Sequence, residues 1–190
     1  MPRSAQDSER FVEREARIIR TTREIAEREG WPAVTVRRLA DEIGVSQPIL
    51  YRHFRGGRDD IVARVVMEGY EDLATAMASD GDGPDALPAL IASYLEFARE
   101  QPSTYEAMAS ARSSIVFASD ETPEVLRRGF EMLARAVGGV DDKDRAVRAE
   151  LLWSTLHGIS QLAAHGRLDA DLDDVREAAV AALFGRDAST

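Results

Sequence analysis

The sequence predicts an all-α protein, an N-terminal three-helix helix-turn-helix head followed by a helical body, about nine helices in all. Three observations carry that prediction. Helix-forming residues dominate, and the alternating β-branched pattern that marks strands is scarce. Apolar side chains recur at i, i+3, i+4 and i+7, most clearly at Val36, Leu39, Ala40 and Ile43. Glycines and prolines stand at the ends and starts of these stretches, as at Gly30, Gly44, Pro102 and Pro123.

Residues 1 to about 7 read as a partly basic tail. From about Ser8 to Glu29 a long helix is signalled by Phe11, Glu15, Ile18, Thr22, Ile25 and Ala26, a mostly apolar stripe among charges. Gly30 ends it, and Trp31-Pro32 makes a short connection, with Trp31 packed beneath the next two helices. Thr35 then offers a hydroxyl cap for the helix of Val36 to Ile43. Gly44, with no Cβ, can adopt the left-handed conformation that closes a helix, and Val45 gives the turn an apolar anchor. Ser46 is the next cap, and Gln47 to Phe54 form a second short helix in which Pro48 is tolerated in the first turn. Helix, glycine turn and helix together make a helix-turn-helix.

At 100° per residue, Leu50 and Phe54 share the inner side of the second helix. Pro48, Tyr51, Arg52 and Arg55 spread over the opposite side, flanked by Gln47 and His53. That outer face carries no carboxylate. Its groups suit a duplex: Gln and Arg can pair with base edges in the major groove, Pro48 can touch a thymine methyl, and Tyr and His can hydrogen-bond phosphate oxygens. We read it as a recognition helix, and the tail before Ser8 is then either an arm touching DNA or a frayed terminus.

The run Thr35 to Phe54, TVRRLADEIGVSQPILYRHF, followed by Arg58-Asp59-Asp60-Ile61, resembles the DNA-binding domain of TetR-family transcriptional regulators. The resemblance implies that Thr35 and Arg37 meet phosphates, that Gln47, Pro48 and Ile49 lie nearest the bases, and that Tyr51 and His53 hold the backbone. With Ser46, Arg52, Arg55 and Arg58 these complete the candidate DNA-binding set. Where the family usually has a lysine this chain has Arg58, which keeps the charge but replaces a point donor with a planar fork.

Arg55-Gly56-Gly57 breaks the chain before a long helix running through Ile61, Val65, Val66, Tyr70, Leu73 and Met77. The resemblance makes this helix the link between head and body, and we place the boundary there: 1–56 as DNA-binding domain, 57–190 as ligand-binding and dimerisation domain. After the loop Asp80 to Pro84 the body continues as helices of about Asp85 to Gln101, Pro102 to Ala118, Pro123 to Val137, Asp142 to Gly166 and Leu172 to Phe184. Along Leu151 to Leu168, Trp153, Leu156, His157 and Ser160 share one side, while Gly158, Ala163 and Ala164 permit close helix approach. The Trp-x-x-x-His-Gly spacing resembles the C-terminal domain of a TetR subgroup. In the family the last two long helices pair with their copies in a second subunit, and the stripe Leu172, Val175, Ala179, Ala182 and Leu183 suits such a homodimer as well as it suits an internal core. Two heads related by a twofold axis read a palindromic operator.

Tyr94, Phe97, Tyr105, Met108, Phe117, Trp153 and His157 are the candidate ligand-binding residues, aromatic or soft groups on separate helices able to line an apolar cavity or to fill the core. No metal or cofactor is expected. The three histidines have no metal-ligand spacing, and no phosphate loop, nucleophile elbow or cysteine is present, so an enzyme is not expected. The absence of a long apolar run and the charged N-terminus predict a cytoplasmic protein with no membrane partner. Net charge is −10, but residues 1–64 hold 13 arginines against 11 acidic side chains, a balance of +2 that leaves −12 for the rest. An acidic body helps turn the basic head toward a duplex. Two functions fit: a repressor released from DNA by a small apolar or amphipathic ligand, and a helical dimeric protein-interaction module that antagonises a related regulator without binding DNA.

Overall fold

The computed structural model describes residues 5–78, 86–110, 119 and 121–185. Among these residues it is entirely helical, with nine α-helices and two short 3₁₀ turns. The chain divides into two compact units, Met1–Gly69 with Ser103–Ser113 and Tyr70–Pro102 with Ser114–Thr190.

The first unit is built on α1 (Ala5–Glu29), which starts three residues earlier than the sequence suggests and carries Asp7 in its first turn, where a carboxylate favours the positive helix end. Its predicted stripe is the one that packs. Ile18, Thr22, Ile25 and Ala26 are buried together with Ile19, and the Thr22 hydroxyl, lacking water, donates to the Ile18 carbonyl at 2.8 Å. Gly30 ends α1 at φ +79°, and Trp31–Ala33 form a 3₁₀ turn. α2 (Val36–Ile43) is capped by Thr35, whose hydroxyl accepts from the Arg38 amide at 3.1 Å. Gly44 closes it in the left-handed region, φ +72°, and the Val45 amide reaches back to the Ala40 carbonyl at 3.0 Å.

α3 (Gln47–His53) is only seven residues long, with Phe54 as its C-cap. Ser46 occupies the N-cap position with extended backbone, but its side chain makes no capping bond, contrary to expectation. The turn of the chain is secured by backbone instead, the Ile49 amide donating to the Ser46 carbonyl at 2.9 Å. α3 is held from beneath. Leu50 is fully buried and Phe54 nearly so, in one cluster with Ile18, Ile25, Leu39, Ile43, Ile61 and Val65. Trp31, half-buried, packs against the same cluster as the sequence suggests.

α4 (Arg58–Ala78) begins in this unit. α6 (Pro102–Ser110) belongs to it as well, held by a bond set linking residues far apart in sequence. The Glu27 carboxylate of α1 accepts from the Ser103 amide at 2.9 Å, the Thr104 amide at 2.8 Å and the Thr104 hydroxyl at 2.9 Å. The two amides belong to a helix start and lack intrahelical partners, so one charge both caps α6 and complements its dipole. The Ser103 hydroxyl donates to the Ala26 carbonyl, and Trp31 Nε1 donates to the Ser103 carbonyl, each at 2.8 Å. Further along α6, Met108 and Thr104 lie so close to Gly69 that a Cβ there would meet Met108 Sδ at 2.7 Å and Thr104 Cγ2 at 2.9 Å; only glycine lets α4 and α6 approach this far.

The second unit contains the end of α4 and α5 (Ala86–Glu100), α7 (Glu124–Val137), α8 (Asp142–Ala164) and α9 (Asp173–Phe184). α5 is its most buried element, contributing Leu87, Leu90, Ile91, Tyr94, Leu95, Phe97 and Ala98 to the interior. Asp141 caps α8 by accepting from the Asp144 amide at 2.8 Å, and Asp169 accepts from the Asp171 amide at 3.0 Å in the turn before α9. These two carboxylates thus serve helix starts, and among the described residues no group of three or more potential ligands could hold a metal ion. No described helix is long and apolar enough to cross a membrane.

Because α3 is anchored through so few side chains, Leu50→Ala should destabilise the head by about 2–5 kcal/mol. Urea denaturation followed by circular dichroism should show an earlier transition, and an unchanged midpoint would mean that α3 is held by something other than this cluster.

Candidate nucleic-acid interface

The outer face of α3 is solvent-exposed. Ser46, Gln47, Pro48, Tyr51, Arg52 and Arg55 are exposed, Ile49 and His53 half-buried. Neither Arg52 nor Arg55 has an ion-pair or hydrogen-bond partner among the described residues, so both guanidiniums are uncompensated. On α2 the two arginines differ. Arg38 is engaged by Glu29 at 3.2 Å and Glu42 at 3.4 Å, whereas Arg37, 84% exposed, has only Asp41 at the 4.0 Å limit of an ion pair. A pair that loose and that wet contributes little, which leaves Arg37 able to turn toward a phosphate. Thr35 is exposed beside it, although its hydroxyl is already accepting at the α2 cap.

Three of the candidate residues have structural tasks that the sequence did not disclose. The Arg58 side chain is half-buried; its Nε donates to the Val34 carbonyl at 2.9 Å and an Nη to the Trp31 carbonyl at 3.2 Å, tying the start of α4 to the connection before α2. Here the fork matters, since a guanidinium can bond two carbonyls at once. His53 stacks on Phe11 of α1, ring centroids 3.9 Å apart and planes at 25°. Tyr51 lies over Gly57: that glycine sits at φ +64°, and a Cβ on it would be 3.0 Å from Tyr51 Cε1. Beside it, the Asp60 carboxylate accepts from the Gly56 amide at 2.6 Å and satisfies the start of α4. The glycine pair is therefore a shaped turn that seats the Tyr51 ring.

The candidate ligand residues separate in the structure. A cavity of about 540 Å³ in the second unit is lined by both Tyr94 and Trp153, in company with Tyr70, Leu73 and Met77 of α4 and Leu126, Phe130 and Leu133 of α7. Phe97 is buried on α5, and His157 is half-buried on α8. Tyr105 and Met108 are buried on α6 in the first unit, Met108 against Gly69. Phe117 lies outside the described residues. Tyr70 and Phe130 were missed because each reads as one more apolar helix position; only the folded arrangement turns them toward one space.

α8 and α9 expose a run of apolar groups. Val147 is 52% exposed, Leu151 54%, Val175 66% and Leu183 72%, and Leu162, Ala163, Ala164, Ala179 and Ala182 are exposed with them. Among the described residues a Cβ on Gly158 would meet nothing within 4 Å, so this glycine is not packed against another described part of the chain. Buried positions on the same helices, Leu152, Leu156, Ser160, Val180 and Phe184, form the separate inward side.

A three-helix head with an exposed, acid-free α3, continued into a helical body, defines a helix-turn-helix transcriptional regulator. The chain belongs to the TetR family. The family model described as bacterial regulatory proteins, tetR family, matches residues 18–65, and that described as tetracyclin repressor-like, C-terminal domain, matches residues 87–183. Neither match distinguishes the Trp-x-x-x-His-Gly subgroup. An uncharacterized HTH-type transcriptional regulator of Mycobacterium tuberculosis is 30% identical over 155 residues, covering 77% of this chain and 68% of that protein. The uncharacterized HTH-type regulator YobS of Bacillus subtilis is 28% identical over 163 residues, 82% of each. Among solved structures, the TetR family transcriptional regulator PfmR from Thermus thermophilus shares the fold with a TM-score of 0.63 at 19% identity, covering 92% of this chain and 96% of that one. The family is one of DNA-binding transcriptional regulators, not enzymes.

Arg58→Ala should therefore lower the stability of the head as well as any DNA affinity, by about 1–3 kcal/mol for two carbonyls left without a charged donor. A melting temperature equal to that of the parent protein would show that these bonds do not hold the head together.

Proposed function

We propose that this regulator is a cytoplasmic repressor that binds a palindromic operator as a homodimer and leaves it when a small apolar or amphipathic ligand enters the body. The observation that carries the reading is the exposed outer side of α3, where Arg52 and Arg55 have no acidic partner among the described residues. In this reading residues 1–56 bind DNA and 57–190 bind the ligand and the second subunit. Gln47, Pro48 and Ile49 read base edges. Arg37, Arg52, Arg55, Tyr51, Ser46 and Thr35 contact the backbone, with Arg58 and His53 holding the head in shape beside any phosphate contact they make.

The apolar side of α8 and α9 supports a dimer. A surface that leaves Val175 and Leu183 about two-thirds exposed is unusual for a monomer and suits packing against a second copy. Two heads then bind as one event, and the operator is an inverted repeat with half-sites set by the helical repeat of DNA. The cavity supports ligand control, because α4 contributes both Tyr70, Leu73 and Met77 to its lining and Arg58 to the head. A ligand that favours one spacing of the two heads shifts the population away from the DNA-competent one.

Fluorescence anisotropy against DNA from the gene's own upstream region should show tight binding whose logarithm falls steeply with the logarithm of salt concentration. Arg52→Ala or Arg55→Ala should reduce that slope by about one unit for each phosphate interaction removed. Gln47→Ala should change which operator is preferred, each missing base interaction costing about 1–3 kcal/mol. A flat response at every salt concentration would sink the DNA-binding assignment in favour of a protein-interaction role.

Leu183→Glu combined with Val175→Glu should convert the dimer to a monomer in sedimentation and weaken operator binding at least in proportion. A variant that still sediments as a dimer would place the interface elsewhere.

A further inference from the structure

The arginines of the first unit fall into two groups. Arg28 pairs with Glu29, Arg38 with Glu29 and Glu42, Arg64 with Glu68, Arg20 loosely with Glu24, and Arg58 bonds two backbone carbonyls. Among the described residues Arg10, Arg14 and Arg17 of α1 have no ion-pair or hydrogen-bond partner, a condition they share with Arg52 and Arg55 at and just beyond the end of α3. All three α1 side chains are exposed. They stand at i, i+4 and i+7, so they line one side of the helix over about 10 Å of its axis. Glu13 is three residues from Arg10 and four from Arg17, the spacing at which helical ion pairs form, and it pairs with neither. Asp7, the other acid close to this line, already has a partner.

The uncompensated arginines of α1 and α3 meet at one contact. The Phe11 ring stacks on His53 with centroids 3.9 Å apart, which fastens the N-terminal half of α1 to the end of α3. Arg10 adjoins Phe11 in sequence, and Arg14, three residues on, is its neighbour on the helix surface. From this we infer that Arg10, Arg14 and Arg17 form a second phosphate-binding strip, which grips the backbone of duplex DNA beside the groove that α3 enters. The inference rests on the DNA-binding reading of α3. Guanidinium forks fit phosphate oxygens, and three of them without an acid partner are a large share of a head whose balance is only +2. A lipid surface would need an apolar side of α1 as well, and Ile18, Ile19, Ile25 and Ala26 are already buried in the head. Phosphate contacts carry no base identity, so the strip adds affinity on every sequence and leaves the choice of operator to α3.

The test measures the salt dependence of DNA binding by the full-length protein, using the upstream duplex and a scrambled duplex of the same length. The triple variant Arg10→Ala, Arg14→Ala, Arg17→Ala should flatten the slope by about one unit for each phosphate interaction removed, hence by at least about two units for a dimer with both heads engaged. Affinity for the upstream and scrambled duplexes should fall by the same factor, so the preference between them stays at the parental value. Arg14→Ala alone should lower the slope, whereas Arg20→Ala, which removes the same charge from the same helix where it faces Glu24, should not. Alanine is the strongest helix former, so helicity, melting temperature and dimer content should match the parent. An unchanged slope in the triple variant, equal effects of Arg14→Ala and Arg20→Ala, or a lost preference for the upstream duplex would each overturn the strip. Two levels of failure separate. If the parent protein shows no salt-dependent binding, the DNA-binding reading of α3 falls and the strip with it; if Arg52→Ala and Arg55→Ala lower the slope and the triple variant does not, the reading of α3 stands and the strip alone falls.

Discussion

The exposed face of α3 depends on the burial of Leu50 and Phe54. Isolated helices shorter than about 12 to 15 residues are marginal in water, and α3 has seven. It also lacks a side-chain cap at Ser46. Its conformation is therefore imposed from below, by two apolar side chains seated among Ile18, Ile25, Leu39, Ile43, Ile61 and Val65. This arrangement frees the outer face. Since the packing that holds the helix lies on the inner side, the outer side can be composed for a partner, and it carries exposed arginines with no compensating acid.

The surroundings of α3 keep that face in register. Each of the two turns around it is shaped by a glycine at positive φ, Gly44 before it and Gly57 after it, and the Tyr51 ring rests on the second. His53 is stacked on Phe11, and the Arg58 fork joins the start of α4 to Trp31 and Val34. Residues that a motif match marks only as DNA contacts are thus also what fixes the angle at which the face is offered. For the base-reading surface proposed above, pre-organisation of this kind spares the ordering cost on binding.

The fold was largely legible in the sequence, for identifiable reasons. Helix periods, Gly44 and the capping hydroxyl of Thr35 are local signals, and each marks an element that the structure contains. What was not legible is what depends on residues far apart in the chain. Glu27 looks like one of many acids on α1, yet its carboxylate holds three donors of Ser103 and Thr104. Gly69 looks like an isolated glycine within a helix, and its purpose appears only when Met108 and Thr104 are found against it. The aromatic candidates show the same limit. Burial of Tyr94, Phe97, Tyr105 and Met108 could be expected from helical spacing, but which of them faces a cavity is decided by tertiary packing, and of the described candidates the structure gathers Tyr94 and Trp153 there.

The same distant contacts bear on the ligand control proposed above. α4 gives the cavity Tyr70, Leu73, Ala74 and Met77, and its first residue is Arg58, about 18 Å of helix before Tyr70. α5 gives the cavity Tyr94, and only Gln101 separates the end of α5 from α6, whose start is bound to Glu27, Ala26 and Trp31. Two of the cavity's helices are therefore joined to the head through a continuous helix in one case and a single linking residue in the other. At the receiving end both are fastened by charged groups, the Arg58 guanidinium and the Glu27 carboxylate, to the segment that runs from the end of α1 to the start of α2. That segment precedes the helix-turn-helix directly.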